Sequence, residues 1–252
     1  MTCISYFFVL CIFTTCLKGV NMRKEKIYSS CTIGTQPCQC FEKLTAEQKT
    51  YLEQNTVKIT YKKGEIICKQ GSYASHIMSV ESGLVKVFLD DGVNSLVLKM
   101  IPTGNLLGLS SINEEHSTFQ YSAMSYVDTV VNQVNIVAFR ELINKNPEFA
   151  KSVIHILSSN SIQINGRFFC LTHKQSYGRL ADIILCLADR VFKGREFDLP
   201  LSRKDLGELS AMSPETVVRM LKKFKDDELI EMEGKRFRIL DYDRLRSISE
   251  KG

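Results

Sequence analysis

The sequence predicts an α+β chain in three parts: an N-terminal antiparallel β-roll, a long helix, and a C-terminal winged helix-turn-helix. Three observations carry this. Short β-rich runs broken by Gly64, Gly71, Gly83, Gly92, Gly104 and Gly108 fill residues 56–138, the spacing of a sandwich or roll. A helical period then starts at Pro147 and continues with no further proline through Thr172. Near the C-terminus, two short helical patterns flank a tight turn, and two strand-like runs follow around Gly234.

Taken in order, "FEKLTAEQKTYLEQN" (41–55) reads as a short amphipathic helix. The runs "VKITYKKGEIICKQG", "HIMSVESGLVKVFLDDG", "NSLVLKMIPTGNLLG" and "FQYSAMSYVDTVVNQVNI" supply the strands of the roll. In the long helix, Phe149, Val153, Ile156, Leu157, Ile164, Phe168 and Leu171 form an apolar stripe longer than one small roll needs. An intersubunit coiled-coil seam accounts for it, with Asn160 or Asn165 as polar interruptions. "YGRLADIILCLADRVF" (177–192) is a further helix. In "LPLSRKDLGEL", Ser202 is an N-cap with Asp205 three residues on. After the turn "SAM", Ser213 caps a second helix whose first residue is Pro214. "DDELIEMEGKRFRILD" gives the two strands of a wing. The expected divisions are an apolar extension (1–21), a β-roll with a cysteine-containing lead-in (22–145), a dimerisation helix (146–174) and the winged helix-turn-helix (175–249).

Composition narrows the function. A chain of 252 residues, 44% hydrophobic, has room for two cores. Its formal charge of +5 is too mild to imply a polyanion partner, so the distribution of charge decides. Arg219, Lys222, Lys223 and Lys225 stand against Glu215 alone, and "GKRFR" adds Lys235, Arg236 and Arg238. The nine cysteines are odd in number and partly embedded in helical apolar patterns, which fits free thiols in a reducing, cytoplasmic setting. "ISYFFVLCIFTTCL" (4–17) is short for a bilayer span and lacks a flanking cation or cleavage site. Residues 1–21 are therefore expected to be an over-extended start before Met22, not an anchor, and no membrane partner is expected.

The second short helix carries the functional reading. Val217, Met220, Leu221 and Phe224 define its buried face, leaving Glu215, Val218, Arg219 and Lys222 together outside. Helix, turn, basic amphipathic helix and wing form a double-stranded-DNA-reading arrangement. Arg219 can donate twice to a guanine edge, Glu215 can accept from cytosine, and Val218 suits a thymine methyl. Lys222, Lys223, Lys235, Arg236 and Arg238, with Ser213 and Thr216 at the helix start, would hold the phosphate backbone.

"LSRKDLGELSAMSPETVVR" (201–219) closely resembles the helix-turn-helix of the Crp/Fnr family, and "YKKGEIICKQG", "SVESGLVKVF" and "GNLLG" resemble its sensor roll. The resemblance covers roughly residues 40–246 in the same order of parts. It implies a homodimeric transcription regulator that meets RNA polymerase, with Glu215 and Arg219 on the family's base-reading positions. Two positions depart from the pattern. Pro214 stands where cyclic-AMP-responsive members have an arginine, which favours a TTGA-type half-site over TGTGA. Ala211 replaces the usual turn glycine, at a cost of up to about 1 kcal/mol if φ is positive there.

The family also frames the signal. Its cyclic-nucleotide members hold the phosphate with a glutamate and an arginine; here Leu109 and Tyr121 stand in those places, and no arginine occurs between Arg23 and Arg140. A buried phosphate without that partner is costly, so cyclic AMP is not expected. The Fnr branch instead holds an iron–sulfur cluster on four cysteines. Cys31, Cys38 and Cys40 precede the roll, but as "CTIGTQPCQC" rather than C-x2-C-x5-C, with Asn132 near the fourth position and Cys68 the one cysteine left on the roll. A cluster or thiol switch on these four is an alternative expectation; the cofactor stays open. His76, His116, His155 and His173 are scattered, which argues against haem. A cupin-like metal enzyme needs closely spaced histidines that are missing, so an enzyme is not expected and no metal site is assigned. A non-DNA-binding scaffold would leave the basic helix and wing unexplained.

Overall fold

The structure is a computed structural model that describes residues 37–92 and 95–252. The expectations for residues 1–21 and for Cys31 fall outside the described residues.

The chain enters through a single 3-10 turn, Cys40–Lys43, and then helix α1, Ala46–Gln54. The expected helix over 41–55 is thus split. Thr45 is an N-cap: its hydroxyl accepts from the Gln48 amide at 3.2 Å, and the Gln48 side chain accepts from the Thr45 amide at 3.1 Å. An N-cap needs extended backbone, so the helix cannot run through it.

Eight strands follow: β1 Thr56–Tyr61, β2 Ile66–Cys68, β3 His76–Ser82, β4 Leu84–Asp90, β5 Ser95–Pro102, β6 Leu106–Leu107, β7 Ser122–Ser125 and β8 Thr129–Asn135. They form two antiparallel sheets, β1-β8-β3-β6 and β2-β7-β4-β5, the roll that the glycine spacing predicts. Met78, Val80, Val85, Val87, Ile101 and Val131 fill the space between them. The β3–β4 turn depends on Gly83, at φ +107°, where an added Cβ would lie 2.8 Å from the Thr129 backbone.

Asn135 and Asn146 cap the next two helices, α2 Ile136–Lys145 and α3 Pro147–His173, and Pro147 sits at the start of α3 where its missing N–H costs nothing. The expected stripe on α3 divides between two faces. Phe149 and Val153 are buried beside Phe139, whose ring centroid lies 5.2 Å from that of Phe149. Leu157, Ile164 and Phe168 instead face outward, at 39%, 51% and 68% exposure, joined by Ile154, at 65%, which the expected stripe does not include. Together with Ser161 and the half-buried Leu171 they follow the alternating three- and four-residue spacing of a heptad seam. The polar residue in this register is Ser161, instead of the expected Asn160 or Asn165. Asn160 turns to the roll, where its Oδ1 accepts from Lys99 Nζ at 3.0 Å, and Asn165 is exposed beside the seam.

Helix α4, Ser176–Cys186, continues through a wider turn over Leu187–Phe192. Then come β9 Glu196–Asp198, α5 Arg203–Ser210, α6 Pro214–Asp226, β10 Ile230–Glu233, β11 Arg236–Ile239 and α7 Tyr242–Lys251. The pattern reading of the sequence misses β9 and α7. β9 is three residues long, too short for a periodic signal. α7 does carry a start signal, Asp241, whose side chain accepts from the Arg244 amide at 2.9 Å.

The roll and the C-terminal part share one apolar cluster. Leu84, Phe88, Val97, Met100 and Tyr126 of the roll pack with Leu180, Ile184, Leu209 and Leu221. Within this contact Lys86 of β4 forms an ion pair with Glu208 of α5, their side chains 6% and 17% exposed. Arg167 of α3, 4% exposed, donates through Nη2 to the Val97 carbonyl at 3.2 Å. Burial pushes its guanidinium down to about 10.

Removing one partner of a buried pair strands the other charge, which costs about 3–5 kcal/mol. Glu208→Ala is therefore expected to lower the urea midpoint of the full chain by that equivalent, and Lys86→Met combined with Glu208→Leu to recover most of it. A single variant as stable as the parent would show that the pair is solvated.

Candidate nucleic-acid interface

The interface begins at two caps. Ser202 and Asp205 make the reciprocal capping box of α5, with the Ser202 hydroxyl accepting from the Asp205 amide at 3.1 Å and the Asp205 carboxylate from the Ser202 amide at 2.8 Å. Ser213 caps α6 by accepting from the Thr216 amide at 3.2 Å, and its hydroxyl lies 3.2 Å from that of Thr216. Between the helices, Ala211 holds φ +50°, the left-handed conformation that the missing glycine foreshadowed. The two helices meet closely because Gly207 has no side chain: a Cβ there would lie 2.7 Å from the Met212 carbonyl oxygen.

This turn fixes which face of α6 is outside. Val217, Leu221 and Phe224 are buried, with the Phe224 ring 4.5 Å from that of Tyr177. Glu215, Val218, Arg219 and Lys222 are exposed as a group. Glu215 and Arg219 form no ion pair among the described residues, although one turn apart they have the spacing for one. The Glu215 carboxyl is held below the usual carboxylate range by its own backbone N–H and by the Ser213 hydroxyl, so it remains ionised. An ionised acceptor, held only by its helix cap, and a five-donor fork share one exposed face without pairing to each other, which is the chemistry needed to read a base-pair edge.

The other cations divide by environment. Lys223 turns sideways, its ammonium 4.6 Å from the Tyr177 ring centroid. Arg236 and Arg238 are committed across the wing: Arg236 Nε donates to Glu196 at 2.6 Å, and Arg238 donates to Glu196 at 3.2 Å and to Glu231 at 3.1 Å. Glu196 sits there because β9 joins the wing as a third strand in the order β10-β11-β9, whereas Glu231 lies on β10 itself. Lys235, at the tip beside Gly234, is exposed and meets no carboxylate among the described residues. A groove between α6 and the wing is bordered by Lys222, Lys225 and Arg203, with Val218 in its wall. Arg203 was not singled out from sequence, though "SRKD" at the α5 cap carried the signal.

The sensor residues are placed as follows. Leu109 is buried, and the Tyr121 hydroxyl accepts from the Gly108 amide at 2.7 Å, so the backbone donor at the phosphate-cassette position is already engaged. Burial pushes the Tyr121 phenol up to about 12. Among the described cysteines, Cys38, Cys40 and Cys68 do not converge. Cys68 lies between the sheets, its thiol pushed up to about 12 by burial, whereas Cys40 belongs to the separate cluster around Phe139. Cys38 lies beside Cys40, accepting from its amide at 3.2 Å, and the Cys40 thiol holds the Cys38 pKa down. Asn132 bonds to Glu81 at 2.9 Å on the β1-β8-β3-β6 sheet. No three His, Cys, Asp or Glu side chains among the described residues come together as metal ligands.

Roll, long helix and winged helix-turn-helix together define the class of a DNA-binding transcription regulator. Comparison with known proteins agrees. The model of the Crp-like helix-turn-helix domain matches residues 178–248, and that of the cyclic nucleotide-binding domain matches residues 58–146. The transcriptional activator protein FnrA of Stutzerimonas stutzeri is 29% identical over 185 residues, 71% of this chain and 75% of that protein. The electron transport regulator A of Shewanella oneidensis is 25% identical over 241 residues, 91% of this chain and 95% of its own. The structure of FixK2 from Bradyrhizobium japonicum superposes with a TM-score of 0.71 at 19% identity, covering 77% of this chain and 96% of that one. The chain belongs to the Crp/Fnr family, and these relatives are transcriptional regulators, not enzymes.

The turn geometry predicts two opposite effects. Ala211→Gly relieves a left-handed residue and is expected to stabilise by about 1 kcal/mol. Gly207→Ala forces a Cβ into the Met212 carbonyl and is expected to destabilise by about 1–3 kcal/mol despite its better helix propensity. Thermal unfolding of the two variants beside the parent reads both; shifts of the same sign would refute the turn geometry.

Proposed function

We propose that the protein acts in the cytoplasm as a homodimer that reads a palindromic DNA site, one α6 per half-site, under control of a signal other than cyclic AMP. The observation that carries the DNA reading is the unpaired, exposed Glu215 and Arg219 one turn apart on a helix held by a tight turn. Glu215 and Arg219 read a G·C pair or its neighbour, Val218 meets a thymine methyl, and Pro214 leaves the half-site of the TTGA kind. Lys222, Lys235 and Arg203 contact phosphates, with Ser213 and Thr216 at the helix start. Lys223, Arg236 and Arg238 contribute more weakly, since an aromatic ring or a carboxylate already holds each of them. The two copies of α6 enter successive major grooves about 34 Å apart, and the bound dimer meets RNA polymerase.

The heptad seam on α3 supports the homodimer: four large apolar side chains exposed at coiled-coil spacing have a mate in the same helix of a second copy. The engaged Gly108 amide and buried Leu109 support a signal other than cyclic AMP, because a cyclic phosphate would find a phenol where it needs a cation. An iron–sulfur cluster that includes Cys68 together with Cys38 and Cys40 is disfavoured, as Cys68 lies inside the roll in a different cluster from the Cys38–Cys40 pair.

Arg219→Ala is expected to cost about 1–3 kcal/mol at the specific site and to relax preference at one base position. Titration of labelled duplexes substituted position by position measures this; an equal loss on random DNA would remove Arg219 from base reading. Phe168→Glu is expected to halve the sedimenting mass while leaving the helical circular dichroism intact. A variant that stays dimeric would exclude α3 as the seam.

A further inference from the structure

Behind the seam, on the opposite face of α3, lies a cavity of about 350 Å³. Its walls are the entry segment Pro37–Lys43, the β5–β6 region and the inner face of α3 from Ser152 to Gln163. The phosphate-cassette residues Gly108, Leu109 and Tyr121 are not among its lining residues, so it is separate from the cyclic-nucleotide position.

The wall chemistry is one-sided. Among the described residues no aspartate or glutamate lines the cavity, while Lys43 and His155 both do. Beneath the wall, Lys99 donates to Asn160 Oδ1 at 3.0 Å and meets no carboxylate among the described residues. Burial lowers its ammonium to about 8, as expected for a cation with no anion beside it. Gln163, 7% exposed, also lines the cavity, and its Oε1 has no hydrogen-bond partner among the described residues. A buried amide oxygen left unpaired is costly, and it calls for a donor.

From this juxtaposition we infer that the cavity is the effector site, and that its ligand is a small hydroxylated organic acid: an anionic group at the Lys43–His155 end and a hydroxyl donating to Gln163 Oε1. The anion is a carboxylate or a phosphate ester, and the volume suits a molecule of a metabolite's size.

The position couples to both moving parts. One wall is α3, whose other face carries the heptad seam. Another is Ile101 of β5, and the opposite end of that strand, Ser95 and Leu96, borders the cleft with Met212 and Pro214 at the start of α6. A ligand that moves α3 or β5 biases the spacing of the recognition helices. This regulatory consequence rests on the dimeric DNA-binding reading; ligand binding itself does not.

The test is calorimetric titration of the full-length protein with malate, succinate, 3-phosphoglycerate and, as a neutral control, glycerol. The expected result is binding of malate or 3-phosphoglycerate in the millimolar range or tighter, with no heat from glycerol. Malate alone would identify the anion as a carboxylate, and 3-phosphoglycerate alone as a phosphate ester. Lys43→Gln with His155→Gln, both at accessible positions, is expected to weaken binding by about tenfold or more. Gln163→Leu is expected to erase the preference for malate over succinate while sparing the binding of succinate. Heat from none of the acids, or binding that all three substitutions leave unchanged, would overturn the site. Both outcomes are independent of Arg219→Ala, which tests DNA reading without ligand.

Discussion

The structure hangs on the contact between the second sheet of the roll and the first helix of the helix-turn-helix. Lys86 and Glu208 are an ion pair almost closed off from water, set inside an apolar cluster that takes side chains from both parts. A pair of this kind contributes little net stability compared with apolar residues of the same shape, but it tolerates only one register. Sliding α5 along β4 by one residue would leave both charges buried alone. The orientation of α6 relative to the roll is therefore fixed through Glu208, five residues before the α6 cap Ser213. Movement of the reading helix requires movement of β4 and β5 with it.

Charge on the DNA side is sorted by whether a partner is near. Glu196, brought in by β9, and Glu231 hold Arg236 and Arg238, which lends the wing cross-strand stiffness. Glu215 and Arg219, one turn apart, stay unpaired because the cap draws the carboxylate back toward the Ser213 hydroxyl and the backbone N–H. The same residue types thus stand in two settings, tied to carboxylates in the wing and free of them on α6. Exposed basic residues near a helix-turn-helix are not equivalent, since a carboxylate already holds some of them and not others.

Helix α3 joins these systems by facing two ways. Its N-terminal half buries Phe149 and Val153 against Phe139 and the entry segment, while its outward stripe lies bare. The inner face also carries Gln163 and Asn160, polar residues in a setting that would otherwise favour apolar ones. One helix thus carries a bare apolar stripe on its outer side and lines a cavity with its inner side.

Whatever depends on neighbours along the chain was already legible in the order of residues. Glycine spacing set the roll; Ser202, Asp205, Ser213 and Pro214 set the two short helices; Ala211 marked the strained turn; and the period of α6 put Glu215 and Arg219 outside. Leu109 and Tyr121 could likewise be seen standing in place of the phosphate-binding pair. Three things stayed hidden at that level: which of two faces on α3 is bare, which wing cations are neutralised, and that Cys68 is walled off from Cys38 and Cys40. Those outcomes turn on contacts between distant segments, such as Lys86 with Glu208, 122 positions apart. A local pattern shows that a residue is charged or apolar. Folding in three dimensions settles whether its neighbour is water, a carboxylate or another side chain, and the free energy of a charge depends on that neighbour.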